Sequence, residues 1–146
     1  MSKYRKWFHV AIAIGVVANI VLMALPFIVA PQWYLDHFGL PGGGASIVWM
    51  RQAGLLLFFI SILYLPGGRD PFRYTMNAYF AVVVRMSIGL YWFWLVYAEG
   101  RTRMFLRFGA ADCLYAIFNA FLLWKVMKEG NDARGAASLS NRPTSR

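Results

Sequence analysis

Four apolar runs of similar length constrain this chain more than any other feature. They cover about residues 7–30, 47–65, 76–98 and 108–127. A helix crosses a ~30 Å hydrocarbon layer with ~20 apolar residues at ~1.5 Å each. Barrel strands would be about half as long and would alternate in polarity, and these runs do neither. The expected fold is therefore all-α: a four-transmembrane-helix bundle over residues 1–128, with antiparallel neighbours and short loops. The first run is too long for a signal-peptide core of about 7–15 residues and is read as a retained helix. The polar, small-residue stretch EGNDARGAASLSNRPTSR (129–146) is expected to be a disordered tail on the cytoplasmic side.

Composition agrees. The chain of 146 residues is 60% apolar and 14% charged, against about 45–50% and about 25% in soluble domains. Cys113 is the only cysteine, which excludes a disulfide scaffold. The formal charge of +9 would suggest nucleic acid if it formed a stripe on a soluble domain, but it flanks the apolar runs instead. Ten basic residues (Lys3, Arg5, Lys6, Arg69, Arg73, Lys125, Lys128, Arg134, Arg142 and Arg146) fall on one side of the expected topology. Three (Arg101, Arg103 and Arg107) fall on the other. The positive-inside rule then puts both termini in the cytoplasm. Nothing in the charge pattern calls for nucleic acid as a partner; the lipid bilayer and other membrane subunits, or further copies of the chain, are the partners expected.

The connections are short. The first, 31–46, carries Trp33, Tyr34 and Phe38, which suit an interfacial half-turn or short surface helix, and ends in a Pro-Gly-Gly-Gly breaker. Residues 66–75 and 99–107 read as turns. The glycine run Gly42-Gly43-Gly44 lacks a following Lys-Ser/Thr and is no phosphate loop.

Three charges lie inside the runs: Arg51, Arg85 and Asp112. Each costs at least about 2.5–3.5 kcal/mol at the bilayer centre and needs a partner. At ~100° per residue, Asp112 shares a face with Tyr115 and Asn119, and Arg85 with Gly89 and Trp92. The expected site is an internal polar cluster of Arg51, Arg85 and Asp112, lined by Tyr115, Asn119 and Asn19. Two arginines against one aspartate leave a positive charge suited to an anionic or carbonyl-bearing lipophile. The plainer reading makes Asp112 and one arginine a pair that fixes helix register, with Arg51 snorkelling to headgroups. Other candidates are weaker. His9 and His37 lie on opposite sides and cannot share a metal or haem. Cys113 reads as packing, and Tyr91-Trp92-Phe93-Trp94 as an interfacial belt. No catalytic or metal-ligating set is visible.

The phrase FGLP after the first run, VWMRQAGLLLFFISILYLPGGRDPFRY through the second, and the aspartate of GAADCLYAIFNAFLLW resemble small four-helix inner-membrane proteins of bacteria. The chain is loosely similar to the DoxX-like group over about residues 5–127. That resemblance implies an accessory role beside a redox partner, and it transfers no catalytic residue. The function expected is a non-catalytic accessory or binding subunit of a membrane complex, with no cofactor in this chain and a quinone or lipid as ligand. Two alternatives stand beside it: a quinone-linked oxidoreductase membrane subunit using Asp112, Tyr115 and Arg85 for protons, and a small dimeric proton-coupled transporter using Asp112.

Overall fold

The computed structural model describes residues 2–40, 42–101 and 103–140, with side chains as far as Arg134. No strand occurs among them, and they form five helices. α1 spans Lys3–Val29, α2 Pro31–His37, α3 Gly44–Arg69, α4 Thr75–Tyr97 and α5 Phe105–Ser140. α1, α3, α4 and α5 are each long and apolar enough to cross a membrane, the make-up of a multi-pass membrane protein. Their outward faces carry large apolar side chains left uncovered, such as Val29, Phe59, Met76 and Leu114. Such faces are the reverse of a water-soluble bundle and suit lipid.

The four long helices stand as a closed square. α4 packs most extensively on α5, α1 on α3 and α5, and α3 on α4. Small residues set the closest approach. Gly89 of α4 and Gly109 of α5 lie back to back, where an added Cβ at either would meet the other helix's backbone at about 3.0–3.1 Å. Without an apolar solvent effect to drive them together, helices in lipid gain from such intimate backbone contact.

α1 contains one wide turn. Residues Ile20–Ala24 form a π-helical turn, closed by the Leu25 N–H donating to Ile20. Pro26 follows within the same helix and can neither donate nor tolerate the normal carbonyl position one turn back. A π turn relieves this by widening the ladder, so α1 runs on to Val29.

Two boundaries differ from expectation. Pro66, Gly67 and Gly68 read as a breaker after residue 65, but α3 continues through them to Arg69. Gly67 presses on the Asn77–Ala78 backbone and Gly68 on Ile12, so these glycines serve packing inside the helix. α5 likewise runs past 127 to Ser140, so residues 129–140 are helical where a disordered tail was expected. Gly130 seats against the Phe72 ring, and Glu129, Ala133 and Arg134 favour helix. Residues 141–146 lie outside the described residues.

α2 folds the first connection back over one end of the square. Tyr34 and Leu35 are buried while Trp33 is exposed. The Tyr34 ring meets Phe27 at 4.6 Å and Phe38 at 4.3 Å, and Phe38 meets Phe108 of α5 at 5.6 Å. Burial pushes the Tyr34 hydroxyl above its ordinary pKa.

Candidate functional site: a side-open cavity with a buried ion pair

Arg85 is the eleventh of the 23 residues of α4, so its backbone sits at mid-span. Its guanidinium makes three contacts. Nη1 donates to Oδ1 of Asp112 on α5 at 3.0 Å. Nη2 donates to the Gly15 carbonyl of α1 at 3.0 Å. The Tyr115 ring lies under the cation at 4.6 Å. Tyr115 in turn donates its hydroxyl to the Ala11 carbonyl. Two carbonyls one turn apart on α1 thus accept from two different helices, and the absence of a side chain at Gly15 lets the Tyr115 ring reach them. The side chains of Arg85 and Asp112 are 13% and 18% exposed, so the pair is largely withdrawn from its surroundings. A charge-assisted bond in such a place is strong, and each charge cancels the other's cost.

Next to the pair is a cavity of about 280 Å³. α1 contributes Asn19, Met23 and Phe27, and α4 contributes Ile88 and Trp92 beside Arg85. The α3 wall runs from Ala53 to Tyr64. The cavity lies away from the linked ends of α3 and α4. They close at their linked ends, where Gly67 meets Ala78 and Asn77 donates to the Leu63 carbonyl at 2.7 Å. Beyond that they line opposite walls of the cavity. Ala53 and Leu56 at its rim are exposed, so the space opens sideways between α3 and α4.

The polar groups in the wall and bonded beside it are few. Asn19, at the foot of the π turn, donates to Ser61 at 3.4 Å, and Ser61 donates to the Leu57 carbonyl at 2.7 Å. Trp92 stacks on Phe105 at 4.9 Å with its indole N–H beside the Asp112 carboxylate. That N–H is buried and meets no hydrogen-bond geometry with any acceptor. Asn119 is 1% exposed and donates to the Tyr115 carbonyl at 2.8 Å, while its Oδ1 has no partner.

The structure therefore brings together Arg85, Asp112 and Tyr115, places Asn119 one turn farther along α5, and puts Asn19 in the same cavity wall. It does not bring Arg51 there. Arg51 is exposed on α3, and Ile60 of the cavity wall lies about 180° round the helix from it at ~100° per residue. Arg51 shares a face with Gly54, as expected, but Gly54 packs toward Ala24 and Phe27 of α1, and the arginine beside it turns outward. The surplus positive charge expected of the cluster is accordingly absent: one guanidinium faces one carboxylate. Trp92 reads from sequence both as a neighbour of Arg85 on one face of α4 and as part of an aromatic belt; the seven-residue spacing from Arg85 prevails and turns it inward, while Tyr91 and Trp94 stay exposed. Tyr64 of the wall, and Ser61 bonded to Asn19, carried no such signal.

No family model, curated protein or solved structure matches the chain. Among the described residues, no group of three or more His, Cys, Asp or Glu side chains could hold a metal ion.

Proposed function

We propose that this chain is a non-catalytic membrane protein, an accessory or binding subunit of a membrane complex, whose bundle receives the head of an uncharged lipophile. The observation that carries this reading is the side-open cavity between α3 and α4, mostly apolar, whose charged groups Arg85 and Asp112 neutralise each other and whose other polar wall residues are Asn19, Tyr64 and Trp92. About 280 Å³ is at the small end of ligand pockets, which run from about 300 Å³ upward. It suits a ring-sized head rather than a whole lipid, with the tail leaving through the gap beside Leu56. A free anion has little to gain there, because the Arg85 charge is already spent on Asp112. A carbonyl or quinone-like acceptor has donors in the unshared guanidinium N–H groups of Arg85.

In this reading the protein lies in a bacterial inner membrane, beside other subunits or copies of itself. A redox role falls to it only as the quinone-holding member of a complex whose electron carriers belong to another subunit. Engagement of Asp112 by Arg85 favours binding over proton-coupled transport, since a transport carboxylate must exchange its proton freely.

The test is titration of the full chain in lipid nanodiscs with decylubiquinone, followed by tryptophan fluorescence. Saturable quenching is expected, because Trp92 lines the space. Ala53→Phe at the rim should weaken it at least about fivefold, the loss of roughly 1 kcal/mol of contact. Quenching that only tracks partition into the membrane, unchanged by Ala53→Phe, would overturn the reading.

A further inference from the structure

A second, independent site lies at the end of the bundle that carries Lys3, Arg69 and Lys128. There a groove of about 200 Å³ runs between the outer faces of α4 and α5. Its walls are Tyr79 and Val82 from α4, and Leu123, Trp124 and Met127 from α5. Tyr79 is one turn into α4, so the groove starts at the depth where hydrocarbon gives way to headgroups. At that depth two ammonium groups flank one half-exposed indole. Lys125 Nζ is 4.9 Å from the Trp124 ring and Lys128 Nζ is 5.9 Å from it. Lys125 is further steadied by Tyr4 at 5.9 Å and Phe121 at 5.6 Å.

Neither ammonium forms an ion pair with any carboxylate among the described residues. Glu129, the nearest acid in sequence, lines a separate hollow with Ser2 and Arg5. The pattern is thus a largely apolar slot whose Trp124 wall carries two unneutralised cations near its ring. Aromatic contact fixes the cations without quenching their charge. We infer that this groove binds one anionic phospholipid, with an acyl chain along Val82 and Leu123 and the phosphate against Lys125 and Lys128. Charge complementarity selects this occupant. A second copy of the chain would bring basic residues to the same level, and a zwitterionic lipid would bring its own cation.

Native mass spectrometry of the full chain, released from mixed micelles of dioleoylphosphatidylglycerol and dioleoylphosphatidylcholine, tests the assignment. The wild type should retain one phosphatidylglycerol in preference to phosphatidylcholine. Lys125→Gln/Lys128→Gln should lower that preference roughly thirtyfold, as two headgroup-level lysines would. Lys3→Gln/Lys6→Gln removes the same charge from the same end and should leave the preference intact. No lipid preference in the wild type, its survival in Lys125→Gln/Lys128→Gln, or an equal loss in Lys3→Gln/Lys6→Gln would each overturn the site. The cavity between α3 and α4 plays no part in this measurement.

Discussion

Arg85 and Asp112 matter to one another more than either matters alone. Removing one partner of a withdrawn pair leaves an uncompensated charge, whereas removing both leaves apolar volume. Arg85→Leu should therefore cost about 3 kcal/mol of stability, and Arg85→Leu/Asp112→Leu clearly less than that. Thermal unfolding of the two variants in the same detergent checks the order; equal losses would mean the pair is not coupled. Arg51 offers the contrast. It touches no partner among the described contacts and is exposed on α3, so Arg51→Leu should move stability by no more than about 0.5 kcal/mol. A large loss on that substitution would place Arg51 in an interaction this single chain does not contain.

Glycines decide how closely the helices meet, and the neighbour of each decides how much a methyl group there would cost. At Gly67 the obstacle is the backbone of Asn77 and Ala78, which cannot step aside. At Gly15 it is the end of the Tyr115 side chain, within 2.6–3.0 Å, which can move if it gives up the Ala11 carbonyl. Gly67→Ala should therefore destabilise by about 2–3 kcal/mol and Gly15→Ala by about half as much. Thermal melts in detergent check the ranking. The same residues show where sequence reading succeeds and where it stops. Period and length placed the four long helices, because ~20 apolar residues have few other uses. Pairing of Arg85 with Asp112 was legible because an unpartnered charge at that depth is too costly to leave. Gly67 and Gly68 were misread because a Pro-Gly-Gly run looks the same whether it breaks a helix or lets another backbone approach. The cavity itself was invisible, since its wall is assembled from four helices and no local pattern records how they meet.

Contacts across the basic end gather three distant segments of the chain. Arg5 of α1 pairs with Asp70 of the α3–α4 turn at 3.3 Å and donates to the Arg69 carbonyl. Phe72 of that turn meets Gly130 of α5, and Lys125 lies over Tyr4. The start of α1, the α3–α4 turn and the latter part of α5 therefore share one face of the bundle. Among the described residues that face carries Lys3, Arg5, Lys6, Arg69, Arg73, Lys125, Lys128 and Arg134, and the other carries Arg101, Arg103 and Arg107. Resistance of Lys and Arg to translocation should hold the richer face in the cytoplasm. Reporter fusions in a bacterial host should thus give a fluorescent, cytoplasmic reporter after Ser2 or Arg134, and an active periplasmic phosphatase at Gly100. Neutralising Lys3, Arg5 and Lys6 together still leaves five basic residues against three, so the orientation should persist. If that triple change inverts the reporters, the first helix alone sets the topology and the later loops contribute nothing. If the unmodified chain already shows phosphatase activity after Arg134, the basic face is not cytoplasmic and the anionic-lipid groove lies in the opposite leaflet.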